Sequence, residues 1–208
     1  MRSLYVVTHP EATHHVERVV GGWHDSALTK AGVDAAVGLA EGLRAEIADG
    51  EVELFSSDLA RTRRTAEEVT RVFGVEPILD RRLRERSYGV AEGRPQEWLD
   101  QRFVPPPAVG ERLEHDIGVP GAETTGVFAR RVYAAMAEIL RRPCARQIIV
   151  THGGAVTFVV ACWIGMPLDS VGRAAFPVPS GSVTTLREDD RFRGRQVVGL
   201  GRTYRGKV

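Results

Sequence analysis

Two separate apolar runs each end in a histidine: YVVTHPEATHH at residues 5–15 and QIIVTHGGAV at residues 147–156. Between them lie Ser56, Ser57 and Arg61 in SSDLARTRRTA, and Glu85 in RERSYG. Ligands of open α/β sheets bind outside the carboxyl ends of strands. His9, Ser56–Ser57 and His152 each follow a predicted strand, so the topology can bring them to one rim. Arg61 falls in the first turn of a predicted helix, where free backbone N–H groups and the dipole favour an anion. Two imidazoles, a guanidinium and a helix N-terminus suit a phosphoryl group. A neutral nitrogen of one histidine would attack phosphorus and form a phosphohistidine. Nearby cations would keep that ring unprotonated and stabilise charge on the transferring oxygens. A carboxylic acid must then protonate the leaving oxygen and later activate water. Glu85, just after the third predicted strand, is the natural candidate.

The elements that must position these groups follow from periodicity. Leu4–Thr8 reads as a buried strand, and residues 10–28 as a loop. Thr29 predicts a helix N-cap, with Val33, Ala36, Val37, Ala40 and Leu43 at helical spacing and a stop near Asp49–Gly50. Val52–Ser56 is a second strand. Asp58 is positioned to cap a helix that runs to Phe73 and stops at Gly74. Val75–Leu79 is a third strand. Residues 86–121, rich in Gly and Pro, predict an irregular lid insertion with a short helix over 96–102. A helix follows from Thr124 or Thr125 to about Arg142, then a strand at Gln147–Thr151 and a buried helix at Gly154–Gly165. Ser182–Arg187 and Gln196–Leu200 close the set. This alternation predicts an α/β three-layer sandwich, a mostly parallel sheet with helices on both faces. Residues 1–208 are read as a single domain that includes the lid.

Composition excludes several classes. The chain has 208 residues, 43% hydrophobic, with 28 basic and 27 acidic side chains. The net charge of +1 gives no basic field for nucleic acid or a membrane surface. The apolar stretch Ala155–Met166 is too short to span a bilayer. No signal-peptide core is evident, and the two cysteines, Cys144 and Cys162, read as thiols of a cytoplasmic protein. No Cys/His metal spacing, GxGxxG or Walker A loop occurs, so no metal or cofactor is expected. An exposed sheet edge would allow a homodimer.

Taken in order, THPEATHH, GGWHDSALT, SSDLARTRRTA, RERSYG, VPPP, PGAE and VTHGG resemble the histidine phosphatase superfamily, and within it the cofactor-dependent phosphoglycerate mutase branch. The resemblance spans about residues 4–187. It implies a phosphoglycerate mutase-like fold. It further implies that His9 is the phosphorylated nucleophile, Arg61 a phosphate-binding arginine, Glu85 the proton donor and His152 the second phosphate-contacting histidine. Thr8, His15, Gly21, Gly22 and Gly153 fall at substrate-contacting positions of the pattern.

The departures bear on activity. Thr8 stands where the family has arginine, and Pro10 where it has glycine. Losing a charge-assisted phosphate contact costs roughly 1.5–3 kcal/mol, on the order of tenfold to a hundredfold in transition-state binding. Pro10 also lacks an N–H that could face the anion. A histidinium at His15 would partly replace the lost charge. The mutases carry an arginine pair before the proline run, and here Leu99 and Asp100 take its place; Arg102 and Arg112 are candidate replacements. These differences favour hydrolysis of a small phosphate monoester. Phosphoglycerate mutase-type transfer and a catalytically weakened phospholigand-binding protein are the alternatives.

Overall fold

The computed structural model describes residues 1–204. Six strands form one sheet in the order β3-β2-β4-β1-β5-β6. They are β1 (Ser3–Thr8), β2 (Glu53–Ser56), β3 (Pro77–Leu79), β4 (Arg146–Thr151), β5 (Ser182–Glu188) and β6 (Arg195–Thr203). β1, β2, β3 and β4 pair in parallel, and β5 and β6 add antiparallel strands beside β1. The mostly parallel sheet expected from the sequence is present, with an antiparallel edge.

Strand alternation divides the core into two layers. Leu4, Val6 and Ile149 point to one face and meet Phe128, Val132 and Met136 of α5 (Thr125–Arg141), with Val156 and Val160 of α6 (Gly153–Trp163). Tyr5, Val7, Ile148 and Val150 point to the other and meet Leu39 and Leu43 of α2 (Lys30–Glu46) and Val69 of α3 (Ala60–Phe73). Period-two side-chain alternation makes one strand serve both faces. Each fully buried Leu or Val contributes about 1.5–3 kcal/mol. Trp163 and Phe158 belong to this core.

The helix ends match their sequence signals at three places. Thr29 Oγ1 accepts from the Gly32 N–H at 3.0 Å, Thr124 Oγ1 from the Val127 N–H at 3.1 Å, and Gly74 closes α3 with φ +67°. Asp58 does not cap α3. Its carboxylate pairs with Arg84 at 2.6 and 2.7 Å, while Asp25, from the loop before α2, accepts the Ala60 N–H at 2.6 Å. The stretch read as loop 10–28 contains a five-residue helix, α1 (Thr13–Glu17).

The lid is better organised than its composition suggests. It holds α4 (Gln96–Asp100), and its Ala91, Leu99, Ile117 and Val119 form a small core with Val20 of the 10–28 segment. Among the described residues no helix is long and apolar enough to cross a membrane. Cys144 and Cys162 are free thiols.

Candidate active site

β1 and β4 are neighbours with Thr8 opposite Thr151. The next residue of each strand is therefore a histidine at the same level of the rim. The His9 N–H donates to the Thr151 carbonyl at 3.2 Å, and the two rings meet edge to face with centroids 5.1 Å apart. The threonines in both VTH segments act as fasteners. Thr8 Oγ1 donates to the Pro179 carbonyl at 2.8 Å and accepts from the Ser182 N–H at 3.0 Å. Thr151 Oγ1 donates to the Leu83 carbonyl at 2.7 Å. Thr8 is thus turned towards β5, 2% exposed, with its hydroxyl engaged by protein.

The orientation of His9 is fixed from both sides. Nδ1 lies 2.8 Å from the Pro10 carbonyl, an acceptor that leaves Nδ1 as the protonated nitrogen. Nε2 then carries the lone pair, and Arg61 Nε donates to it at 3.2 Å. Pro10 removes one backbone donor, yet its carbonyl still sets the tautomer. His9 is held well below the usual imidazole pKa, first by burial and then by Arg61. Burial, more than the nearby cation, keeps the ring neutral.

Arg61 is 1% exposed. Its Nη2 donates to the Gly22 carbonyl at 2.7 Å and its Nη1 to the His24 carbonyl at 2.8 Å. All three acceptors are neutral, and among the described residues no carboxylate pairs with it. Burial lowers its pKa to about 10, with Glu85 the strongest opposing influence. A cation this buried and unpaired has a standing electrostatic demand for an anion. The helix N-terminus contributes less than the sequence suggested. Asp25 occupies the Ala60 N–H, and the Thr62 and Arg63 N–H groups both bond to the Leu59 carbonyl.

His152 is fully buried at the N-cap of α6. Its Nε2 lies 2.9 Å from Ser57 Oγ, and its buried Nδ1 has no partner among the described residues. Burial, then Arg61 and His9, push its pKa well down. His15 stacks on His9 at 5.6 Å. Its Nδ1 accepts the Ala12 N–H at 3.1 Å, and burial with Arg61 lowers its pKa. This corrects the expected histidinium: His15 is a neutral ring with Nε2 left as its donor. His14 is held by Ser26 Oγ at 2.6 Å, and a Cβ on Gly21 would strike its ring at 2.8 Å. Gly22, with φ +53°, turns the chain so that its carbonyl faces Arg61.

Glu85 is the buried carboxyl group beside this cluster. Its Oε1 accepts from the Arg86 N–H at 2.9 Å and its Oε2 from the Gly154 N–H at 2.8 Å. Burial raises its pKa despite these bonds and despite Arg61 and Arg131. Gly153 opens α6, but the following residue, Gly154, is the one that touches the acid. The segment carrying Glu85 is clamped by residues the sequence reading did not single out. Arg131 donates to the carbonyls of Arg82, Arg84 and Glu85 at 2.9, 2.7 and 2.6 Å, and pairs with Glu123 at 2.7 Å. Trp23 Nε1 also donates to the Glu85 carbonyl at 2.7 Å. The only sequence signal for this clamp is an arginine on the otherwise apolar side of α5.

The positions of the mutase arginine pair lie elsewhere. Leu99 fills the lid core, and Asp100 accepts from Gln96 Nε2 at 2.8 Å on the surface. Arg102 stacks on Trp98 at 4.2 Å, while Arg112 lines a cavity with Glu85. No group of three His, Cys, Asp or Glu among the described residues is arranged to hold a metal ion.

Residues 4–199 match the histidine phosphatase superfamily (branch 1). The chain belongs to that superfamily. Within it, the chain is 34% identical over 173 residues to the probable phosphoglycerate mutase GpmB of Salmonella paratyphi C (strain RKS4594), covering 80% of this chain and 77% of that protein. Among solved structures it resembles Bacillus stearothermophilus YhfR, with TM-score 0.74 and 26% identity over 95% of this chain and 96% of that one. A mycobacterial glucosyl-3-phosphoglycerate phosphatase complexed with VO3 shares the fold, with TM-score 0.77 and 22% identity over 98% and 100% of the two chains. For a histidine phosphatase, the His9–Arg61–His152 cluster at the carboxyl rim of β1 and β4 lies where chemistry is expected.

Proposed function

We propose that this histidine phosphatase superfamily member hydrolyses a small phosphate monoester through a phosphohistidine on His9. The observation that carries this reading is the Arg61 Nε to His9 Nε2 hydrogen bond of 3.2 Å, with Nδ1 tied to the Pro10 carbonyl. It aims a neutral nucleophilic lone pair at a buried guanidinium that has no carboxylate partner.

The steps follow from that orientation. The phosphoryl oxygens take the place of His9 Nε2 as acceptors from Arg61, and Nε2 attacks phosphorus in line with the leaving oxygen. His152 supplies the donor opposite. In the tautomer where Nε2 accepts from Ser57 Oγ at 2.9 Å, the proton lies on the unpartnered Nδ1 and is free for a phosphoryl oxygen. His15 Nε2–H adds a neutral donor at the mouth. Glu85, whose pKa burial raises, gives its proton to the departing alcohol. The resulting carboxylate then takes a proton from water as that water attacks the phosphohistidine. Preorganised donors of this kind are each worth about 10²–10³ in kcat. Thr8 serves this site by fixing the end of β1, and the lid joins the rest of the chain as one domain.

Transfer back to a glycerate phosphate is the second reading, and the name of the Salmonella relative favours it. Against it, Leu99 and Asp100 stand in place of the mutase arginine pair, so that paired charge is absent. Incubation with para-nitrophenyl phosphate and a panel of phosphate esters separates the readings. Release of inorganic phosphate that His9→Asn abolishes supports hydrolysis. Interconversion of 2- and 3-phosphoglycerate without phosphate release supports the mutase.

A further inference from the structure

Beside Glu85 lies a cavity of about 260 Å3 whose wall includes Gly154, Phe128, Phe158, Pro106 and Arg112. It is slightly smaller than the roughly 300–1,000 Å3 of drug-sized ligand sites. It adjoins Glu85, so the alcohol portion of an ester protonated by Glu85 can enter it. Phe128 and Phe158 meet edge to face at 4.9 Å and give that seat an apolar wall.

Two arginines reach this cavity, and they differ. Arg86 is held in place, its Nε and Nη2 donating to the Glu123 carbonyl at 2.9 and 2.7 Å. Arg112 is not. Its Nε is buried with no hydrogen-bond partner among the described residues, and no ion pair there includes it. The carboxylates near it in sequence are committed elsewhere. Glu111 accepts the Leu113 and Glu114 N–H groups, and Glu114 pairs with Arg130 at 2.8 Å. Arg112 also borders a smaller cavity of about 180 Å3 that contains Asp169, whose Oδ1 accepts from Ser170 Oγ at 3.1 Å. The stem is seated against Gly172, where an added Cβ would lie 3.3 Å from Arg112 Cβ. A guanidinium held by its stem, with a dry unsatisfied donor, is complementary to a ligand oxyanion.

We infer that Arg112 binds a second anionic group, a carboxylate or a second phosphate, on the alcohol portion of the substrate. This rests on the hydrolase reading and names the substrate class at the same site: a small phosphate monoester with an apolar body and a distal oxyanion. Phosphorus sits at His9 and Arg61, the bridging oxygen at Glu85, and the distal oxyanion at Arg112.

The test compares phenyl phosphate with 4-carboxyphenyl phosphate and 1,4-phenylene bisphosphate. The wild type is expected to favour at least one of the doubly anionic esters in kcat/KM by about tenfold or more. Arg112→Met should bring that ratio close to one, chiefly through KM, and Arg112→Lys should restore part of it. A ratio that Arg112→Met and Arg112→Gln leave unchanged overturns the inference, as does a wild type with no preference. Calorimetric binding of benzylphosphonate and 4-carboxybenzylphosphonate separates this failure from that of the hydrolase reading. Discrimination that depends on Arg112 in a protein without turnover sinks only the hydrolase. Turnover without discrimination sinks only the role of Arg112.

Discussion

Glu85 and Gly154 are built against each other: the Gly154 N–H donates to Glu85 Oε2 at 2.8 Å, and a Cβ on Gly154 would lie 2.3 Å from Oε1. The acid that follows β3 is thereby held at the first turn of the helix that follows β4. Gly154→Ala should displace the carboxyl and lower kcat on alkyl phosphates. Glu85→Gln should lower it by about 10²–10⁴, with a smaller loss on para-nitrophenyl phosphate, whose leaving group needs less protonation. The double variant should be no worse than Glu85→Gln alone. Because burial raises the Glu85 pKa, the protonated acid persists above the ordinary carboxyl range. The rate of phosphoenzyme formation should fall as pH rises through that raised value, and Glu85→Gln should remove this limb. Rapid-quench kinetics across pH checks both outcomes.

Arg131 acts through Glu85 without touching the phosphoryl site. It and Glu123 are 14% and 10% exposed in their side chains, and together they tie down the carbonyls of residues 82, 84 and 85. Removing one partner of such a buried pair costs about 3–5 kcal/mol. Arg131→Met should therefore lower denaturant stability by about that amount and shift the alkaline limb set by Glu85. Arg131→Met with Glu123→Gln should recover part of the stability, since no unpaired charge is left. Urea melts and the pH profile of kcat report the two effects separately.

Thr8 answers whether the family's missing arginine can be put back. Its hydroxyl joins β1 to the Pro179–Ser182 turn and is 2% exposed. Thr8→Val leaves the Ser182 N–H without its acceptor and should cost about 1–3 kcal/mol. Thr8→Arg should destabilise the fold and fail to raise phosphatase activity, because the side chain starts in a packed joint. Melting curves together with kcat/KM decide this. A stable and faster Thr8→Arg enzyme would contradict it.

Three buried imidazoles make stability depend on pH. His9 and His152 are held well below 6.5, and His14 is lowered to about 3, all first by burial. In the unfolded chain these rings take protons as pH falls below about 6.5; in the folded chain they do not. Unfolding therefore takes up protons, and stability falls with acidification, by about 1.4 kcal/mol per pH unit for each proton of difference. For His14 the window runs from about 6.5 down to about 3. Stability measured between pH 7 and pH 5 should drop, and His14→Gln should make the slope shallower.

How much of this was legible in the sequence depends on the range of the interaction. Thr29, Thr124 and Gly74 act within one helical turn, so their roles could be read locally. The two strand-end histidines were legible because parallel pairing puts Thr8 opposite Thr151. Asp58 was misread as a cap because Arg84, far along the chain, claims its carboxylate. Thr8 and Thr151 gave no local sign of their partners, Pro179–Ser182 and Leu83. The charge assigned to His15 failed for a related reason, since one backbone N–H from Ala12 sets its tautomer. The Arg131 clamp likewise depends on contacts across 46 to 49 residues.

Covalent trapping of the phosphoenzyme tests the central claim most directly. The protein is mixed with a 32P-labelled phosphate ester, quenched in alkali and digested for peptide mapping. The account predicts label on the peptide containing His9, stable to base and lost in mild acid, present in Glu85→Gln and absent in His9→Asn. Phosphate release at the wild-type rate by His9→Asn, or label on any residue other than His9, would contradict it.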